Sequence, residues 1–138
     1  MSGVVGTEGE CAEWTFPAEP NAVGAARHAV RDTLREWRLD AAVGDVTELL
    51  VSELVTNSLR YASGPIGVRL ILSQGDSPGP ILRVEVSDPL PDAPTERAAR
   101  PEDETGRGLQ LVACTARRWG TRRGRTGKTV WFELALAG

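Results

Sequence analysis

The run Glu53-Leu54-Val55-Thr56-Asn57 lies in a stretch where Val46, Leu50 and Leu54 recur every four residues, with Leu49 beside them, until Ser63-Gly64-Pro65. That is the period of one helical face, ended by residues that stop helices. The spacing predicts a helix reaching about Ala62 that turns Leu50 and Leu54 towards a core. Glu53 and Asn57, four residues apart, share another side of it. An amide oxygen suits Mg²⁺, and a nearby carboxylate suits activation of a hydroxyl or water. Taken alone, however, such a pair is more often a solvated strip.

Towards the N-terminus, Val23, Ala26, Val30, Leu34 and Trp37 keep the same period, which predicts a helix over Asn21 to Trp37 with Asn21 as its cap. A turn at Leu39 to Gly44 separates the two helices. Cys11 to Phe16 reads as a strand with Trp14 and Phe16 on one face, closed by Pro17 and Pro20. Towards the C-terminus, Ile66 to Ser73 and Ile81 to Ser87 alternate apolar and polar residues, the pattern of half-buried strands. The stretch from Pro89 to Thr105 has no period and carries Pro89, Pro91, Pro94 and Pro101, so it reads as a long loop of the kind that forms lids. A third helix is predicted over Gly108 to Arg118. Strands then follow over Trp119 to Arg123 and Thr129 to Leu136, turning through Gly124 to Gly127.

This order predicts an α+β fold: a two-layer α/β sandwich whose mixed, mainly antiparallel sheet carries its helices on one face. Residues 1–10 are expected to be a flexible N-terminus, and residues 11–138 one domain with a lid at 89–105. A length of 138 residues fits a single core, and 41% hydrophobic with 25% charged residues is ordinary globular composition.

The net charge of −3 argues against direct nucleic-acid binding, and the cluster Arg117, Arg118, Arg122, Arg123 and Arg125 reads as solvated surface. Cys11 and Cys114 form no C-x-x-C pair and are read as reduced thiols, with His28 as a surface histidine. No leader-like segment and no run near the roughly 20 apolar residues of a membrane span is present, so the expectation is a cytoplasmic protein without a membrane partner.

Two further features carry chemistry. Asp88 ends an apolar strand, where a carboxylate can face a ligand or simply open a turn before Pro89. Glu104-Thr-Gly106-Arg107-Gly108-Leu109 places two glycines ahead of the third helix, where backbone N–H groups and the positive helix end can hold phosphates. Gly127-Lys128-Thr129 is no phosphate loop, because the residue five positions before Gly127 is Arg122 and a strand follows.

In this order along the chain, Glu53-Leu-Val-Thr-Asn57 and Gly106-Arg-Gly-Leu109 resemble the N-box and second glycine box of the gyrase, heat-shock chaperone and histidine-kinase ATPase superfamily. Val23-Gly-Ala-Ala-Arg27, the short lid and Gly127-Lys-Thr-Val-Trp-Phe-Glu133 are similar to its anti-sigma-factor serine kinase branch, over nearly all of Trp14 to Leu136. The resemblance implies a Bergerat-type ATP-binding fold with ATP and Mg²⁺ as cofactors. It implies Glu53 as general base, Asn57 on Mg²⁺, Asp88 on the adenine amino group, Gly106, Arg107, Gly108 and Leu109 around the phosphates, and Thr129 supporting the adenine. It further implies that Arg27 contacts a partner, that an anti-anti-sigma-type antagonist is phosphorylated while a sigma factor is sequestered, and that the protein forms a homodimer.

One departure stands out. The superfamily's Asp-x-Gly-x-Gly is here Asp88-Pro89-Leu90-Pro91-Asp92, so both glycines are replaced and the pocket edge is stiffer. The alternative reading is therefore a protein-binding module, nucleotide-gated or nucleotide-free, without kinase activity.

Overall fold

The computed structural model of the protein describes residues 10–61, 64–73, 79–89, 106–125 and 127–136. The elements are β1 (Glu10–Phe16), α1 (Ala22–Glu36), α2 (Ala41–Tyr61), β2 (Ile66–Ser73), β3 (Ile81–Asp88), α3 (Gly106–Thr115), β4 (Arg118–Arg123) and β5 (Lys128–Ala135). The lid expected at 89–105 lies outside the described residues apart from Pro89, as do residues 1–9.

The five strands form one sheet in the order β1-β2-β3-β5-β4, and every pairing is antiparallel rather than mixed. Leu82, Val84 and Val86 of β3 are buried together with Val68 and Leu70 of β2 and Val130, Phe132 and Leu134 of β5. Side chains alternate across a strand, so these residues define one face. The helices cover that face: Ala26, Val30 and Leu34 of α1, Leu50, Val51, Leu54 and Val55 of α2, and Val112 of α3 join the same core cluster. Burial on that single face fixes the strand register, since a one-residue slip would send the whole apolar set to water.

Two helix ends differ from expectation. Asn21 makes no side-chain cap hydrogen bond to α1; its carbonyl oxygen accepts from the Ala25 N–H at 3.0 Å. Its own backbone is already helical, φ −78° and ψ −1°, whereas a capping side chain works from an extended residue. α3 begins at Gly106 and ends at Thr115, earlier at both ends than the apolar spacing indicates.

The face turned away from the helices is charged. Arg83 bonds Glu85 and Glu133 at 3.0 Å each and lies 4.2 Å above the centre of the Trp131 ring. Trp131 therefore stands on the open face and not in the core, over Gly120, where an added Cβ would come within 2.9 Å of the indole. Trp119 is 38% exposed, whereas Trp37 packs against the core. Cys11 and Cys114 are both free and exposed.

Candidate functional site

The core-facing stripe of α2 runs from Leu50 through Leu54 to Ser58, so a hydroxyl occupies a position where an apolar side chain would continue the pattern. Ser58 Oγ donates to Asp88 Oδ2 at 2.7 Å in a buried contact. Asp88 is 5% exposed, and its Oδ1 is buried with no hydrogen-bond partner among the described residues. Burial pushes the Asp88 carboxyl above the usual carboxylate range, while the Ser58 hydrogen bond and then the Lys128 and Arg123 charges act in the opposite direction. A buried acceptor without a donor costs about 1–3 kcal/mol, more when charged. A ligand N–H placed at Oδ1 would remove that cost.

Gly127 locks this end of the sheet together. A Cβ there would collide with the Asp88 carbonyl oxygen and come within 3.1 Å of the Pro89 Cα. Backbone, not a movable side chain, occupies the space. Gly127→Ala is expected to lower stability by about 1–3 kcal/mol, the range for forced overpacking, measurable by urea unfolding; an unchanged midpoint would show that the turn shifts freely.

Glu53 and Asn57 lie half-buried along the flank of α2, beside its buried stripe, and Asn57 directly precedes Ser58. The helix thus brings Asn57 next to the residue that holds Asp88. The Gly106-Arg107-Gly108-Leu109 run forms the first turn of α3, where helix N–H groups lack partners within the helix and attract anions; the side chains of these four residues lie outside the described ones. Asn57 offers an amide oxygen, a ligand type that Mg²⁺ accepts alongside phosphate oxygens.

Thr129 is not brought to the Asp88 carboxylate. It pairs in register with Ser87, and their hydroxyl oxygens are 2.8 Å apart on the opposite face of the sheet. Lys128 is the residue paired with Asp88. The expectation placed Thr129 by its position in a motif, but strand alternation turns a side chain over with every residue. Arg27 is remote from Asp88, on α1, where its side chain is 48% exposed and lies 3.8 Å from Glu48.

Sequence reading missed Ser58 and Lys128. The signal for Ser58 was present, a polar residue continuing the Leu50 and Leu54 stripe. That for Lys128 was not, because it depends on which strands pair.

Residues 16–134 match the family described as the histidine kinase-like ATPase domain. The chain belongs to that family. As a histidine kinase-like ATPase domain it is an ATP-binding domain, with the antiparallel α+β architecture already described. Its fold is similar to a crystal structure of the RsbU and RsbW domains of Rv1364c from Mycobacterium tuberculosis, with a TM-score of 0.65 and 20% identity. That likeness covers 92% of this chain and 32% of the other, so the present chain spans about a third of that protein's solved length. No curated protein sequence matches the chain. Among the described residues, no helix of this ATPase domain is long and apolar enough to cross a membrane.

Proposed function

We infer that this ATPase domain is a regulatory serine/threonine protein kinase that phosphorylates an anti-anti-sigma-type antagonist protein and sequesters a sigma factor. The single observation carrying the nucleotide part is Asp88, with one buried oxygen held by Ser58 and the other unpaired. Adenine presents an exocyclic amino donor where guanine has a carbonyl, so an acceptor fixed at that point selects ATP. What supports the partner assignment is the similarity to a structure that includes an RsbW domain, together with the Arg27 and Gly127 to Glu133 resemblance.

In this reading MgATP supplies the transferable phosphoryl group. Asp88 Oδ1 accepts from the adenine amino group, and Ser58 keeps the carboxylate oriented. Asn57 would hold Mg²⁺ through its amide oxygen. The free N–H groups in the first turn of α3 would offset charge on the phosphates, and Glu53 would take the proton from the partner's hydroxyl as its oxygen bonds the γ-phosphorus and ADP leaves with the bridging oxygen. Calorimetric titration tests the first part: ATP should bind more tightly with Mg²⁺ than without, and Asn57→Ala should remove that difference. Equal wild-type affinities with and without Mg²⁺ would remove Asn57 from metal binding. GTP should bind more weakly than ATP by about 1–3 kcal/mol, the scale of an unmatched buried acceptor.

Arg27 supplies the partner test. Its exposed guanidinium reaches only a 3.8 Å contact with Glu48, which Arg31 already holds through hydrogen bonds of 3.0 and 3.1 Å. Arg27→Glu should therefore leave the fold and ATP affinity unchanged while weakening the antagonist or sigma-factor complex about tenfold or more, as reversal of an interface charge does. Unchanged capture of a cognate partner would place the interface elsewhere.

The replaced glycines favour a second reading, a nucleotide-gated protein-binding module without phosphotransfer. Pro89 stands beside Gly64, where a Cβ would come within 2.7 Å of the proline Cγ, so the chain leaving Asp88 is packed as well as stiff. ATP binding without phosphate transfer to any antagonist would select this module.

A further inference from the structure

β4 forms one edge of the sheet, with β5 as its single neighbour. The turn beside it sets the direction of its backbone groups. The Gly124 N–H donates to the Gly127 carbonyl at 2.8 Å, and this pair continues the register that joins Arg123 to Lys128. Hydrogen-bonded pairs alternate along an antiparallel ladder, so Arg122 with Thr129 and Gly120 with Trp131 are the next two. Trp119, Thr121 and Arg123 therefore turn their N–H and C=O groups away from β5. Among the described residues, no other backbone takes up those groups.

The side chains of this edge are cationic. From Arg117 to Lys128 the chain carries six cationic residues and no acidic one. Arg118 and Arg122 stand on the open face, in register with Glu133 and Thr129, while Trp119 stands on the helix side opposite Phe132. The Arg118 side chain is 65% exposed and comes no nearer than 3.5 Å to Glu133, an acid that Arg83 already holds at 3.0 Å. Arg122 is exposed and, among the described residues, forms no ion pair. Trp119 is exposed as well. The edge thus offers outward backbone groups, two guanidinium groups on one face and an aromatic ring on the other.

We propose that the β4 edge docks an extended acidic segment of a partner protein, which adds to the sheet as a further strand with carboxylates beside Arg118 and Arg122 and an apolar side chain beside Trp119. In such strand addition the main-chain bonds supply affinity and the side chains on each face supply specificity. Charge selects the occupant. Two β4 edges paired with each other would set arginine rows side by side, and like charges across a strand pair are destabilising. Charged edge residues discourage self-pairing for that reason, and the same guanidinium groups attract an acidic strand. A nucleic-acid strand fits less well, because the outward carbonyl groups of Trp119, Thr121 and Arg123 need donors that phosphates lack, and the chain carries a net charge of −3. The inference goes beyond the kinase reading and uses neither the Arg27 contact nor phosphoryl transfer.

The probe is a short capped peptide of alternating glutamate and valine, titrated into the isotopically labelled full chain and followed by amide hydrogen exchange. Bound peptide should slow exchange at Trp119, Thr121 and Arg123 about tenfold or more, while Gly120 and Arg122, already bonded to β5, change little. A backbone-N-methylated version keeps the charges, loses the donors and should bind about tenfold or more weakly. The double substitution Arg118→Glu and Arg122→Glu should weaken binding by a similar factor and admit the peptide with lysine in place of glutamate. Thr121→Pro removes one outward N–H at an edge position, where proline is tolerated, and should weaken binding without removing a charge. Equal binding of the N-methylated peptide would overturn the proposal as plain charge attraction, and unchanged affinity in the arginine double variant would remove its specificity. No protection at the three outward amides would overturn it by leaving the edge unpaired. Tighter binding of a single-stranded oligonucleotide at the same residues would overturn it by assigning the arginines to nucleic acid.

Discussion

Glu53→Gln is expected to bind ATP as the unmodified protein does, yet to phosphorylate its antagonist about 10²- to 10⁴-fold more slowly, the usual range for loss of a general base. The substitution keeps the side-chain length and the half-buried position on the flank of α2, and removes the capacity to take up a proton. Because Glu53 lies on the flank of α2 beside the Leu50, Leu54 and Ser58 stripe and forms no part of it, the core and the Asp88 contact should be undisturbed. Radiolabelled ATP with candidate antagonists from the same genome provides the measurement. Equal transfer by both proteins would exclude Glu53 as the base. Transfer by neither, with ATP bound by both, would favour the nucleotide-gated module.

Asp88→Asn should have opposite effects on binding and on stability. With ATP, an amide that places its NH₂ at the Oδ1 position meets the adenine donor with another donor, so affinity should fall by about 10- to 150-fold, the equivalent of about 1.5–3 kcal/mol for a hydrogen bond to a charged group. Without ATP, the variant should melt at the same temperature as the unmodified protein or higher at neutral pH. The sign follows from the direction of the Asp88 shift. Its carboxyl is pushed up chiefly by burial, so the folded state binds the proton more tightly than the unfolded state. Stability is then greater below the ordinary carboxylate value and declines as pH rises from there through the raised folded value.

ATP affinity should show the reverse dependence, rising with pH through the raised value as Oδ1 becomes free to accept. Both dependences should disappear in Asp88→Asn. A variant that melts well below the unmodified protein would instead identify Asp88 as a structural residue held by Ser58, without a ligand role.

These two residues also show why parts of the site could be read early. Glu53 and Asn57 follow from periodicity: a helix of known phase fixes which residues share a side, and local spacing suffices to determine it. Asp88 at the end of a run alternating Leu82, Val84 and Val86 was likewise legible as the end of a half-buried strand. Whether it served a ligand or a turn was not, because its burial and its bond to Ser58 join residues thirty positions apart.

The sequence by itself indicated the three described helices, the five strands and their order along the chain, most of them through a local apolar period bounded by Gly or Pro, while β4, Arg118–Arg123, has no such period. Its length of 138 residues was likewise enough to expect a single core. Tertiary structure decided what depends on strand pairing. It made the sheet wholly antiparallel in the order β1-β2-β3-β5-β4, and it set Lys128 opposite Asp88 and Thr129 opposite Ser87. It put Trp131 under Arg83 on the open face. It also gathered Thr15, Gly67, Ser87, Thr129 and Arg122, spread over more than a hundred residues of sequence, into one row. Local spacing fixes the direction of a side chain within its own element. Its neighbours across the sheet are fixed only when the apolar faces of separate strands bury together and set the register.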